Sequence, residues 1–105
     1  HSLCVLANNF TTLLWQKTLA DLSSKYEIPQ AAFFGYLKQT LENFESNPKQ
    51  ALTGPLARRD YKTIEKNLES LKGDPYEEVY RAFCNAHLKE CLDPKKLTGG
   101  LNERH

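Results

Sequence analysis

Ala51-Leu52-Thr53-Gly54-Pro55-Leu56-Ala57-Arg58-Arg59-Asp60 is a polar, turn-forming stretch set between two strongly helical segments. It limits how the flanking helices can be joined. Gly54 admits backbone angles closed to other residues, Pro55 fixes its own φ, and Asp60 is suited to cap a following helix. Antiparallel helices in a bundle are usually joined by ~2 to 8 residues, and the span from Ser46 to Asp60 is nearly twice the upper figure. A long, well-punctuated loop on a helical scaffold is a common place for binding residues.

The helices are read from apolar spacing. From Ser2 to about Lys25, Leu3, Leu6, Phe10, Leu13 and Leu14 recur at helical intervals, and Val5, Trp15, Leu19 and Leu22 widen the apolar surface beyond one stripe. This first helix is expected to be central and to meet a second domain or subunit. Pro29, at a first-turn position, opens a second helix with Phe33, Tyr36, Leu37, Thr40, Leu41 and Phe44 on one face, ending near Ser46. Asp60 caps a third, with Tyr61, Ile64, Leu68 and Leu71 inward and Lys72-Gly73 at its end. Asp74-Pro75-Tyr76-Glu77 starts a fourth through Val79, Tyr80, Phe83, Cys84, Leu88 and Cys91, which Asp93-Pro94 stops. Residues 93–105 read as a polar tail, loosely held unless Leu97 and Leu101 dock. No strand signal and no repeat is visible, so the fold class is all-α, one domain over residues 1–92.

Net charge is +1 over 105 residues, which favours neither nucleic acid nor an anionic membrane as partner. No apolar run reaches the ~18 to 20 residues of a membrane span, and His1-Ser2-Leu3 carries no cationic leader. Cys4, Cys84 and Cys91 are an odd number without framework spacing, which points to reduced thiols and a cytoplasmic protein. The chain has no methionine and opens directly on an apolar helical pattern, as a piece of a longer polypeptide would.

Three groupings offer chemistry. Thr53, Arg58, Arg59 and Asp60 put a hydroxyl, two cations and a carboxylate around the Gly54-Pro55 turn, and either arginine could grip a carboxylate or phosphate through a bidentate fork. The structural alternative makes Thr53 and Asp60 caps and leaves the arginines solvated or paired with Glu65 and Glu69. His1 and Asn8 lie seven apart, on nearly one helical face, with Asn9 about a hundred degrees around. These asparagines need hydrogen-bond partners, from a ligand, a neighbouring backbone or water. Cys84, His87 and Cys91, at i, i+3 and i+7, supply only three of the four ligands structural zinc normally takes, so two buried thiols and a boundary histidine are expected, with no metal. Gly35, Gly54 and Gly73 stand alone, and no glycine-rich phosphate loop can be drawn.

The order of His1, an apolar helix with Asn9, a second helix, Leu52-Thr53-Gly54-Pro55-Leu56-Ala57-Arg58-x-Asp60 and two further helices resembles the C-terminal helical domain of a Rossmann-like bacterial oxidoreductase family with a C-terminal domain of unknown function. The resemblance covers roughly His1 to Leu92 and is most specific in the Leu-Thr-Gly-Pro-Leu-Ala-Arg loop. That family is similar to pyrroline-5-carboxylate reductases, ketopantoate reductases and the 6-phosphogluconate and hydroxyacid dehydrogenases. There a Rossmann domain holds the nicotinamide cofactor, and a helical domain completes the substrate cleft and often the dimer.

The resemblance implies a four-helix domain like the 6-phosphogluconate dehydrogenase C-terminal domain, with a long ordered loop between helices two and three. It implies an N-terminal Rossmann domain ahead of His1, NAD(P) bound in the full-length protein and not by this chain, a homodimer, and no activity for the chain alone. It places His1 and Asn9 on the helix facing the interdomain cleft, and Thr53, Gly54, Pro55, Arg58 and Asp60 on the loop. Members commonly have a glycine between the arginine and the aspartate, where this chain has Arg59. The related dehydrogenases carry a lysine one helical turn before the asparagine, where this chain has Val5, so their catalytic pair does not transfer. The rival expectation is a stand-alone helical module for protein–protein interaction, with the first helix as its binding surface.

Overall fold

Helix is the only regular secondary structure among the described residues, 1–92, of this computed structural model. The expected tail, with its stop at Asp93-Pro94 and the docking of Leu97 and Leu101, lies outside those residues. The chain divides into two compact units inside the loop, His1–Ala51 and Leu52–His105.

In the first unit the Leu3 N–H donates to His1 Nδ1 at 3.2 Å, so the imidazole caps the single turn α1 (Ser2–Cys4). That turn passes without a break into a π-helical segment, Val5–Phe10, and then into α2 (Thr11–Tyr26). The expected rod from Ser2 to about Lys25 is therefore present, but its N-terminal part is the wider helix in which amides reach five residues back. Two hydroxyls sit on its carbonyls: Thr11 Oγ1 donates to Leu6 O at 3.3 Å and Thr12 Oγ1 to Asn8 O at 2.7 Å. Glu27 ends α2 in the left-handed region, φ 54°, with its amide on Leu22 O. Pro29 is extended, φ −63° and ψ 143°, and stands as the N-cap of α3 (Gln30–Ser46), one residue earlier than a first-turn proline. Asn47 Oδ1 then accepts the Gln50 N–H at 3.3 Å, capping a 3₁₀ turn, Pro48–Gln50.

The second unit holds α4 (Pro55–Arg58), α5 (Tyr61–Ser70) and α6 (Tyr76–Leu92). Both aspartates cap as the sequence suggests. Asp60 Oδ1 accepts the Thr63 N–H at 3.2 Å and Asp74 Oδ1 accepts the Tyr76 N–H at 2.8 Å. Gly73, with φ 86°, turns the chain after α5, and Asn67 Nδ2 donates to the Tyr80 hydroxyl at 2.8 Å to tie α5 to α6.

The core is small. Among the described residues the buried apolar side chains are Phe33, 6% exposed, and Ile64, 7% exposed. Leu68 and Leu71 are half-buried, whereas Tyr61, expected inward, is exposed, as are Phe83 and Leu88 of α6. No residue from Ser2 to Tyr26 is buried, and Leu3, Leu6, Phe10, Leu13 and Trp15 lie open at 67% for Leu3 down to 46% for Trp15. Large exposed apolar side chains grouped in this way mark an interaction surface. No helix among the described residues is long and apolar enough to cross a membrane.

Candidate functional site

The loop owes its shape to two backbone positions. Gly54 has φ 91° and ψ −176°, a combination essentially confined to glycine, and it serves as N-cap of α4 with Pro55 in the first turn. Arg59 closes that turn in the left-handed region, φ 57° and ψ 38°, where a side chain costs ~1 to 2 kcal/mol relative to glycine. The Asp60 N–H reaches back to Pro55 O at 2.8 Å and fastens the turn from below.

Asp60 is the electrostatic hub. Besides the Thr63 amide, its carboxylate accepts the Thr63 hydroxyl at 2.7 Å and faces Arg58 Nη2 at 3.6 Å. The Thr63 hydroxyl and then its amide hold its pKa below the ordinary aspartate value; burial opposes them, and the charge of Arg58 adds a smaller lowering. Arg58 keeps 61% of its side chain exposed, and its contact with the carboxylate is made through Nη2. Of the two structural alternatives for the arginines, solvation or pairing with Glu65 and Glu69, Arg58 shows high exposure together with this contact to Asp60.

Two cavities flank the loop within the second unit. Thr53, Pro55 and Leu56 meet Tyr80, Phe83 and Cys84 around one of about 260 Å³. Leu56 also borders a second of about 350 Å³, lined by Arg59 from the loop, Ile64 from α5 and Cys84, His87 and Cys91 from α6. Sequence reasoning singled out Arg58, and it is Arg59 that borders a cavity. Tyr80 and Phe83 were read as helix-face residues without a site role; the facing of α6 against the loop is what places them. In the first unit His1 is an exposed helix cap and Asn9 is an exposed residue of the π-helical segment. Single π-turns recur at functional positions, which makes this the one local irregularity of the first helix that coincides with a candidate residue.

All three cysteines are free thiols, Cys4 exposed and Cys84 and Cys91 half-buried. Cys91 Sγ lies 3.5 Å from His87 Nε2. No group of three His, Cys, Asp or Glu side chains among the described residues is arranged to hold a metal ion.

Residues 1–87 match the model of a family described as a domain of unknown function, DUF2520. No curated protein and no solved structure matches the chain.

Proposed function

The chain belongs to the DUF2520 family, and from that premise we propose that it is the substrate-cleft and dimerisation domain of a cytoplasmic, bacterial NAD(P)-dependent oxidoreductase, silent by itself. The observation that carries the reading is the open apolar face of residues 2–26, which calls for a large covering surface. A second copy and a preceding Rossmann domain together would supply it. The resemblance of the Leu52–Asp60 loop to that of the Rossmann-like oxidoreductase family supports the oxidoreductase part.

Nicotinamide cofactors are held by a glycine-rich turn between a strand and a helix. The described residues contain no strand, and the glycines at 35, 54 and 73 are isolated, so in this reading the cofactor is held by the preceding domain and no step here runs through it. Its contribution is binding and orientation. Arg58, largely exposed, serves as a clamp for an anionic substrate group, and Asn9 as a hydrogen-bond partner for a polar one. His1, Thr53, Gly54, Pro55 and Asp60 shape and support these two.

Titration of NADH and NADPH into the full-length protein and into the 105-residue chain tests the division of labour. Binding is expected for the first and not for the second. Cofactor binding by the isolated chain tighter than ~100 μM, about 5 kcal/mol, would refute it. A full-length protein that binds neither cofactor but still associates through residues 2–26 would establish the stand-alone interaction module instead.

A further inference from the structure

The larger cavity beside the loop combines features that its role as a loop support does not use. Its walls include the aliphatic Leu56, Ile64 and Leu88, and two thiols and an imidazole border it. Among the described lining residues Arg59 supplies the one fixed charge, and none is a carboxylate. The two thiols differ in one respect. Both are half-buried on α6, but Cys91 lies 3.5 Å from His87 Nε2, one helical turn away, while Cys84 makes no hydrogen bond among those resolved. An imidazole at that distance can take a thiol proton, and it is the thiolate that reacts.

We propose that Cys91 is a modification site for small, carboxylate-bearing disulfides, with His87 as its base and Arg59 as the anchor for the incoming carboxylate. In the exchange the Cys91 proton passes to His87 Nε2 and the thiolate attacks one sulfur of the disulfide. A new S–S bond forms as the old one breaks, and the expelled thiolate takes the proton back from His87. Cys91 is oxidised to a mixed disulfide and the other half of the reagent is reduced to a thiol, so no further oxidant is needed. Cys84 cannot resolve the product, because seven residues of helix separate the two Cα atoms by ~10.5 Å along the axis, beyond the ~7 Å limit for a bridge. The adduct therefore persists, on a wall shared by Leu56 of the loop.

The test uses dithiobis(nitrobenzoate), an anionic aromatic disulfide, and neutral dithiodipyridine on the intact protein, with labelling at each cysteine followed by peptide mass spectrometry. Cys84 is the internal control, equally half-buried and bordering the same cavity. Cys91 is expected to react with the anionic reagent at least ~10-fold faster than Cys84, and His87→Gln to bring the ratio near one. Arg59→Gln should slow the anionic reagent at Cys91 about 3- to 5-fold and leave the neutral one unchanged. Equal rates at Cys84 and Cys91 in the unaltered protein would overturn the proposal, as would a ratio that survives His87→Gln. Equal sensitivity of the two reagents to Arg59→Gln would overturn the assignment of an anionic ligand, and a Cys84–Cys91 disulfide among the products would overturn the persistence of the adduct.

Discussion

Ile64→Ala removes the buried anchor of the second unit, and its cost can be worked from the surroundings. The substitution deletes three carbons from a side chain only 7% exposed. At ~0.8 kcal/mol per buried methylene the transfer loss is about 2.4 kcal/mol. A sealed void would add to this, at ~24 cal/mol per Å³ of residual space. Here, however, the vacated volume opens onto the cavity of about 350 Å³ that Ile64 already borders, so the additional penalty should be small. The expected total is about 2.5 kcal/mol, the lower part of the usual range, with Ile64→Val near 1 kcal/mol. Leu88→Ala, which borders the same cavity but is exposed, should cost less than about 1 kcal/mol. Urea titration followed by circular dichroism gives the overall changes, and hydrogen exchange at the amides of α5 locates them. If Ile64→Ala and Leu88→Ala were equally mild, Ile64 would not be the anchor, and the account of α5 and α6 as a packed pair would fail.

Other expectations follow from the same geometry. Replacing Leu6 and Phe10 together by aspartate should abolish self-association of the chain in light scattering while leaving its helicity intact, since neither side chain is buried; an unchanged oligomer would place the contact elsewhere. Gly54→Ala meets no neighbour within 4 Å, so its cost is backbone strain alone, ~1 to 3 kcal/mol, and Gly54→Asn should do no better in the same unfolding assay. Asp60 has a folded-state pKa below its unfolded value, so its stabilisation is present above the unfolded pKa and is lost as pH falls through the folded one. Thermal melts across that acidic window should show the loss in the native chain and not in Asp60→Asn, which keeps a capping oxygen without the titration. Arg58→Ala in the full-length protein should weaken an anionic substrate by ~1.5 to 3 kcal/mol with little change in stability; a loss of stability of that size would make Arg58 structural.

Local signals made the helix ends legible. Asp60, Gly73 and Asp74 act within a few residues of themselves, so their chemistry is written in the sequence next to the structure it produces. Periodicity likewise found Phe33 and Ile64. It failed at Tyr61, Phe83 and Leu88, because a stripe says which residues share a face and not whether anything covers that face. The π-helical segment was also out of reach: reaching five residues back instead of four changes the turn without changing which residue types suit it. The choice between Arg58 and Arg59 depends on the left-handed turn at Arg59, which rotates neighbouring side chains to opposite duties. The cavities needed residues far apart in sequence to meet, and no spacing rule encodes that.

The π-helical segment Val5–Phe10 has a mechanical meaning for the protein that contains it. Each widened turn takes up about one more residue than an α-turn, and one residue of α-helix is worth about 100° of rotation. The segment thus fixes the azimuth at which His1 and anything joined to it leave the axis of α2. Deleting one residue there would let the turn tighten to α-geometry with little net rotation, so the direction in which that junction leaves the axis would be kept, with Leu13, Trp15 and the rest of α2 left in place. A one-residue deletion is therefore absorbed by this segment, whereas the same deletion in the regular α-helix that follows would turn everything on one side of it by about 100°.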